Sequence, residues 1–308
     1  MALNQKIRKV LDEFYHTILR MQVALDTVKN HFAQYTVAQG YEQYTEADHE
    51  SWRRTMASLV DALRTRCAVP HVAALQASGL DPNFLPRLAT INRALTKFDW
   101  RAVIVDSFIP PPAFMALQAS GTLPITRHVR QPSQLAYTPI PDIVHEAAGH
   151  LPMLVDAQYR QFLRRFGAFA KDLRFSRLDE QVYEAQKRFA EHAAEPQPDE
   201  RKIGELCALA SELRREQAQA LTPACLVSRF HWWTVEFGLI GSNTRLYGAG
   251  LLSSSREAVA SDATPKLRLS LDCLDFDYEI AEMQPQLFVV DDWHHLNEQL
   301  DLLQAHVS

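Results

Sequence analysis

The segment from Pro141 to His150 constrains this chain more than any other, because it places two imidazoles and a carboxylate within six residues, 145–150. Histidine and carboxylate side chains grouped in this way are typical of a metal site. So short a segment cannot surround a metal ion by itself. The chain must therefore fold so that a further ligand arrives from a distant part of the sequence.

The spacing of the two histidines argues against a zinc peptidase. The H-E-x-x-H motif has its histidines four residues apart on one helix face, with the glutamate as general base. Here Gly149 occupies the fourth position, and on a regular helix of about 100° per residue His145 and His150 would point roughly 140° apart. We therefore expect the helix to stop near Gly149, with Pro152 preventing its resumption, so that His150 turns back toward the metal. Two ordinary core histidines are the alternative interpretation.

Glu236 is the candidate third ligand, and it lies in the apolar run from Phe230 to Ile240. A carboxylate in such surroundings is costly to bury unless it is paired or bound to a cation. An arginine or lysine partner, or an exposed turn, would also explain it. Two histidines and one carboxylate form the facial triad of non-haem Fe(II) oxygenases, which predicts redox chemistry rather than hydrolysis.

Composition excludes several other classes of protein. The chain has 308 residues, is 47% hydrophobic and carries a formal net charge of -5 without a long basic run, so nucleic acid is not an expected partner. The N-terminus lacks the apolar core of a signal peptide, and no segment is suited to crossing a bilayer. We expect a soluble, cytoplasmic protein. The four cysteines lie far apart in the sequence, so a metal would rely on nitrogen and oxygen ligands.

Helical patterns dominate the chain. Apolar periodicity predicts an amphipathic helix over residues 7–35, and acidic residues mark the start of another near Thr45. Strong helix formers fill residues 157–220, with a break at Pro196 to Pro198. The remaining predictions are a helix around Phe114 to Leu117 and short strands at 102–105, 267–272 and 286–290. The pattern predicts a mainly α fold with a few short β-strands in one domain.

Four blocks, taken in order, resemble the catalytic domain of the tetrahydropterin-dependent aromatic amino acid hydroxylases, particularly the bacterial phenylalanine 4-monooxygenases. These blocks are residues 130–150, 232–239, 247–254 and 284–289. The likeness runs from about Tyr44 to Val290. We therefore predict a helical extension over residues 1–43 and a catalytic domain over residues 44–308; the extension is too short for a regulatory domain like that of the animal enzymes.

The resemblance implies a role for individual residues. It implies that His145, His150 and Glu236 bind Fe(II) and are the catalytic centre. Arg130 would hold the substrate carboxylate, because its planar fork can donate two parallel hydrogen bonds. Other positions match substrate contacts, at Thr138, Trp232, Phe237, Gly250 and Ser253, the last of which supports an iron ligand. Pterin contacts would be Ile109, Phe114, Glu146 and His231, although His231 stands where many relatives have an aromatic residue.

The resemblance also implies an activity. We expect a cytoplasmic oxidoreductase of phenylalanine catabolism, a monooxygenase that converts phenylalanine to tyrosine with O2, Fe(II) and a tetrahydropterin such as tetrahydrobiopterin. Trp232 favours phenylalanine, because relatives that act on tryptophan often have a smaller ring there. The alternatives are hydroxylation of tryptophan or another aromatic substrate, a zinc-dependent hydrolase with Glu146 as base, and a pterin- or amino-acid-binding protein without catalysis.

Overall fold

The computed structural model describes residues 32–106, 108–130, 141–193, 195, 197–278, 280 and 282–308. Thr138 and most of the helix predicted for residues 7–35 lie outside these ranges. At the end of that predicted helix, Ala33–Tyr35 form a 3-10 turn. Phe32 packs nearby against Ala113 and Leu117, so the last part of the predicted N-terminal extension lies against the rest of the chain.

The helix predicted near Thr45 is confirmed as α1, Glu46–Leu63. The Thr45 hydroxyl accepts a hydrogen bond from the Asp48 amide at 3.3 Å, and the Asp48 carboxylate accepts one from the Thr45 amide at 2.7 Å. This reciprocal cap satisfies amides that would otherwise lack partners, which is why the helix begins there. Two shorter helices follow, α2 (His71–Ala77) and α3 (Leu88–Leu95).

A parallel pair of strands, separated by one helix, comes next. Strands β1 (Arg101–Val105) and β2 (Thr122–Thr126) pair in register from Arg101 opposite Thr122, and α4 (Pro111–Ala119) connects them. The predicted strand and the predicted helix around Phe114 are thus confirmed. The connection holds α4 beside the sheet and fixes the position of Phe114.

Three long helices occupy the middle of the chain, as the sequence predicts. They are α5 (Ala157–Ala170), α6 (Arg177–Ala193) and α7 (Glu200–Gln217). Helix α5 packs closely on α4 at Gly167, which has no side chain. A Cβ at this position would lie 2.6 Å from backbone atoms of Met115 and Ala119. Helices α6 and α7 pack against each other as a hairpin.

The last third of the chain contains four short strands, β3 (Gly238–Ile240), β4 (Arg245–Leu246), β5 (Lys266–Arg268) and β6 (Leu287–Val290). They form one sheet with the order β4-β3-β6-β5, in which β3 pairs antiparallel with β4 and parallel with β6, and β5 pairs parallel with β6. The helices of this region are α8 (Pro223–His231) and the π-helix Trp232–Glu236 before the sheet, α9 (Ala249–Leu252) and α10 (Ser255–Ala260) between β4 and β5, and α11 (Trp293–Val307) after β6.

One strand prediction was wrong in part. The strand predicted for residues 267–272 ends at Arg268, and Leu271–Asp275 form a 3-10 turn. The reason is local, since the Ser270 hydroxyl accepts a hydrogen bond from the Asp272 amide at 3.2 Å and thereby caps the turn. The strand predicted for residues 286–290 is confirmed as β6.

The described elements share one main hydrophobic core, to which both sheets and most helices contribute. The mainly α, single-domain fold predicted from the sequence is therefore confirmed. Among the described residues, none of the helices combines the length and apolar character that a membrane span requires.

Candidate metal centre

The two histidines of the opening motif lie on a π-helix, Val144–His150. In this helix the hydrogen bonds join residues five apart, so side chains with that spacing lie on the same face. The rings of His145 and His150 are accordingly 5.2 Å apart between centroids. The wider turn resolves the geometric conflict that a regular helix would create.

The prediction that the helix stops at Gly149 was therefore wrong. Gly149 does not adopt a positive φ, and the chain continues through His150 into a 3-10 turn, Leu151–Val155. Glycine is needed there for another reason. A Cβ at this position would lie 2.6 Å from the carbonyl oxygen of Ala249, so the missing side chain lets α9 approach the π-helix.

A second π-helix, Trp232–Glu236, continues α8 and carries the third candidate ligand. His231 and Glu236 are five residues apart, like His145 and His150, and they also lie on one face: His231 Nδ1 is 3.8 Å from Glu236 Oε1. Both π-helices are buried for most of their length. The candidate centre is thus built where two irregular helical turns face each other.

The structure brings the three predicted ligands together. The Nε2 atom of His145 lies 3.3 Å from Glu236 Oε2, and that of His150 lies 3.6 Å from Glu236 Oε1. One nitrogen or oxygen from each residue lies within 4.8 Å of the other two. Two imidazoles and a carboxylate at this spacing suit a divalent iron ion, with positions left for other ligands.

The charges of the three groups are strongly coupled. Burial alone would lower the pKa of His145, but the adjacent Glu236 carboxylate raises it to about 9. Burial would raise the pKa of Glu236, yet His150 and His145 lower it to about 2. The pKa of His150 falls to about 4, chiefly through burial. A metal ion that binds here would displace the proton of His145, so binding is coupled to proton release.

Ser253 fixes the orientation of the first histidine. Its Oγ lies 3.1 Å from His145 Nδ1 and also donates to the carbonyl oxygen of Gly250 at 3.3 Å. With its own hydrogen directed to Gly250, Ser253 accepts from the Nδ1 hydrogen of His145. The Nε2 lone pair of His145 is then directed at the centre, which fits the supporting role predicted for Ser253.

Arg130 lies beside the centre in a buried ion pair that the sequence analysis missed. Its Nε and Nη2 atoms donate to the Asp142 carboxylate at 2.6 and 2.9 Å, and its Nη1 donates to the Ser253 carbonyl at 3.3 Å. Burial would raise the pKa of Asp142, but Arg130 and the His145 amide lower it overall. Because Asp142 also accepts from the His145 amide at 2.9 Å, it connects Arg130 to the metal motif. Asp142 lies three residues before His145, a spacing typical of a side chain that caps a helix. That spacing was the sequence signal that could have identified Asp142.

Aromatic rings form a wall next to the centre. The Trp232 and Phe237 rings lie 4.8 Å apart, and a Cβ on Gly250 would lie 2.7 Å from the Phe237 ring. The Trp232 indole donates to Gln284 Oε1 at 3.0 Å. Tyr278 stacks on Trp232 at 4.3 Å with the planes 12° apart, a contact that no sequence pattern indicated. These rings form an apolar surface suited to another ring.

Of the residues predicted to contact a pterin, Phe114 and His231 contact each other, and Glu146 lies close to His150. Phe114 approaches the His231 ring edge-on at 6.3 Å, and Ile109 lies directly before α4. Glu146 is buried, its Oε2 lies 3.9 Å from His150 Nε2, and that oxygen makes no hydrogen bond. Burial raises the pKa of Glu146 to about 8. A buried carboxyl oxygen without a hydrogen-bond partner fits a ligand that carries hydrogen-bonding nitrogens.

Comparison with known proteins agrees with this geometry. The family model for biopterin-dependent aromatic amino acid hydroxylases matches residues 6–178 and 224–307. Phenylalanine-4-hydroxylase of Caulobacter vibrioides is 28% identical over 271 residues, which cover 86% of this chain and 77% of that protein. Its counterpart in Pseudomonas aeruginosa is 27% identical and covers 83% of each chain.

A solved structure shares the fold. Phenylalanine hydroxylase of Chromobacterium violaceum, with bound iron(III) and 7,8-dihydrobiopterin, superposes with a TM-score of 0.69 and 23% identity, covering 89% of this chain and 86% of that one. The family match begins at residue 6, earlier than the likeness read from the motifs, and it omits residues 179–223. The chain belongs to the family of biopterin-dependent aromatic amino acid hydroxylases.

Proposed function

We propose that this chain hydroxylates the ring of phenylalanine to give tyrosine, with O2, Fe(II) and a tetrahydropterin. The observation that carries the proposal is the cluster of His145, His150 and Glu236 beside the Trp232 and Phe237 rings. The cluster supplies a site for a redox metal, and the rings supply a surface for an aromatic substrate. Relatives named phenylalanine-4-hydroxylase support the choice of phenylalanine.

The side chains have distinct tasks at the metal. His145, His150 and Glu236 would hold the iron, and Ser253 keeps His145 in the tautomer that presents Nε2. Fe(II) and a tetrahydropterin, when bound, supply open coordination positions and the two electrons needed to activate O2. The protein contributes fixed ligands and apolar walls that exclude water from the reacting ring.

Arg130 and the aromatic wall would orient the substrate. The bidentate contact with Asp142 holds the Arg130 guanidinium still, and this buried cation would bind an amino acid carboxylate. Trp232, Phe237 and Gly250 would then receive the ring, with Gly250 leaving room for Phe237. Thr138 remains a predicted contact from the sequence. Holding both ends of the substrate places one edge of its ring toward the metal.

Phe114 and Glu146 would help to hold the pterin. Phe114 offers a ring to a flat cofactor, and the Glu146 carboxyl offers an oxygen that needs a partner. Ile109 and His231 would be further contacts. A cytoplasmic location and a place in phenylalanine catabolism remain predictions from the sequence.

The decisive experiment supplies iron(II)-loaded protein with a tetrahydropterin and, separately, phenylalanine, tyrosine and tryptophan. Oxygen uptake and mass spectrometry of the products are measured together. We expect tyrosine from phenylalanine, formed with matching oxygen uptake. Hydroxylated tryptophan without product from phenylalanine would overturn the substrate. Tightly bound zinc, and no oxygen uptake with any substrate, would overturn the function.

A further inference from the structure

The hairpin of α6 and α7 corresponds closely to the part of the chain that the family model does not match, residues 179–223. The sequence of the hairpin thus departs from the family model. Its two helices pack mainly on each other, and its other contacts are few. Those few contacts include one near the predicted pterin contacts and one near the predicted substrate contacts.

The first contact lies on the pterin side. The Tyr183 hydroxyl, on α6, donates a hydrogen bond to the carbonyl oxygen of Ile109 at 2.9 Å. Ile109 precedes α4, and its side chain packs against the small apolar cluster of Phe32, Ala113 and Leu117. Tyr183 thereby holds the backbone that enters the helix carrying Phe114.

The second contact lies on the substrate side. Arg214, on α7, pairs with Asp277 at 2.5 Å and donates to the Tyr278 carbonyl, and its guanidinium lies 4.8 Å above the Tyr278 ring. The Arg214 side chain is only 11% exposed, whereas that of its partner Asp277 is 45% exposed, so the guanidinium is largely buried and the carboxylate is half-exposed. Tyr278 stacks in turn on Trp232. Arg214 thus fixes the position of the Tyr278 ring, which forms the outer side of the aromatic wall.

The base of the hairpin is fixed to the helix that leads into the metal centre. Asp179 accepts hydrogen bonds from Gln217 at 2.6 Å and from Thr222 at 2.8 Å. Burial would raise the pKa of Asp179, but the hydrogen bonds from Ser176, Gln217 and Thr222 lower it overall. Thr222 also caps α8, since its hydroxyl accepts from the Cys225 amide at 3.1 Å. The hairpin is therefore held at its base, while Tyr183 contacts Ile109 on the pterin side and Arg214 contacts Tyr278 on the substrate side.

We propose that this hairpin is a positioning element for the pocket, in which Tyr183 holds the pterin side and Arg214 holds the ring side. The inference rests on the proposed function, because it assigns each contact to one ligand of that reaction. None of the described contacts of Tyr183 and Arg214 is with a metal ligand. Each acts through a neighbour, Tyr183 through Ile109 and Arg214 through Tyr278.

Two single variants separate the two contacts. Tyr183→Phe removes one hydroxyl and keeps the ring, whereas Arg214→Met removes the charge and the planar group. Dissociation constants for 7,8-dihydrobiopterin and for phenylalanine are measured by titration calorimetry on iron-loaded protein, alongside both KM values. Arg215→Met is the matched control, because this exposed neighbour bonds only within its own helix among its described contacts, to the Ser211 carbonyl at 3.4 Å.

Each variant is expected to weaken one ligand. Tyr183→Phe should raise the dissociation constant for 7,8-dihydrobiopterin about two- to fivefold and leave that for phenylalanine within about twofold. Arg214→Met should do the reverse, raising the constant for phenylalanine about three- to tenfold. Arg214→Lys, which keeps the pair with Asp277 but not the planar group, should fall between Arg214→Met and the unaltered protein.

Three results would overturn the inference. The first is a set of constants for both variants equal to those of Arg215→Met. The second is an equal rise of both constants in both variants, which would indicate general loosening. The third is an Arg214→Lys variant that folds, by far-ultraviolet circular dichroism, and binds phenylalanine normally. An unaltered protein that hydroxylates no phenylalanine would instead remove the proposed function, and the inference with it.

Discussion

The metal centre and the α6–α7 hairpin are both helical, yet their backbones differ. The hairpin consists of two regular α-helices, and the family model does not match residues 179–223. The metal centre consists of two π-helices, Val144–His150 and Trp232–Glu236, and both lie within the matched region. The unmatched hairpin is therefore regular, whereas the candidate metal centre in the matched region is irregular.

The difference has a physical reason. A π-helix is a less favourable backbone than an α-helix, and it persists where the surrounding structure requires it. Here it turns two histidines five residues apart toward one point, and it places Glu236 opposite them. The hairpin has no such requirement, since its side chains reach their partners from ordinary helix faces. Substitutions should therefore have unequal effects in the two regions.

The largest expected effect is at Glu236. Glu236→Gln keeps the shape but removes the charge that holds the metal, so Fe(II) affinity should fall more than about 100-fold and turnover should be lost. Competition with a chromogenic chelator measures the affinity. Glu146→Gln is the matched control, since it alters a carboxyl beside the same centre and should retain iron within about tenfold. Equal iron affinity in Glu236→Gln and the unaltered protein would remove Glu236 from the ligands.

The backbone of the first π-helix should be nearly as sensitive. Gly149→Ala places a methyl group 2.6 Å from the Ala249 carbonyl oxygen, so α9 or the π-helix must shift. We expect a loss of about 1–3 kcal/mol in the free energy of unfolding and weaker iron binding. Urea unfolding of the metal-free protein isolates the first effect. Unchanged stability would show that α9 moves away freely.

The sequence predicted the regular parts of this molecule and the composition of its centre. The start of α1 was predictable because Thr45 and Asp48 form a local cap, and the pair α6 and α7 because helix formers surround one break near Pro196. The grouping of His145, His150 and Glu236 followed from their donor atoms and from the burial expected around Glu236.

The geometry of the centre could not be predicted in the same way. A regular α-helix has 3.6 residues per turn, so only a helix end near Gly149 would turn His150 toward the metal, whereas the chain forms a π-helix through His150. The stacking of Tyr278 on Trp232 and the pairing of Arg130 with Asp142 depend on contacts between distant segments. Only the folded chain determines which of several suitable partners each side chain meets.

A smaller effect, on the pH dependence of stability, is expected at His71. This buried side chain lies on α2, which packs against the Leu151–Val155 turn, and neither of its ring nitrogens has a hydrogen-bond partner. Burial lowers the pKa of His71 from 6.5 to about 4. The unfolded chain therefore binds the proton first as pH falls below about 6.5, and stability decreases until about pH 4.

Substitution isolates that contribution. Between pH 7.5 and pH 5, the unaltered protein should lose about 2 kcal/mol more of its unfolding free energy than His71→Leu does. Urea unfolding at both pH values measures the difference, and the other histidines cancel because both proteins contain them. Parallel losses in the two proteins would show that His71 accepts a proton in the folded state without penalty.

The smallest effect, and the only gain, is expected in the hairpin. Gly204 lies exposed within α7, and a Cβ there would meet no atom within 4 Å. Gly204→Ala should therefore raise the free energy of unfolding by about 0.5–1 kcal/mol, because alanine restricts the unfolded chain and favours the helix. The same substitution has opposite signs at Gly149 and Gly204, and urea unfolding of the two variants side by side tests this directly. A loss of stability at Gly204 would mean that the exposed face of α7 packs against something in solution, and the contrast between a constrained centre and a tolerant hairpin would fail.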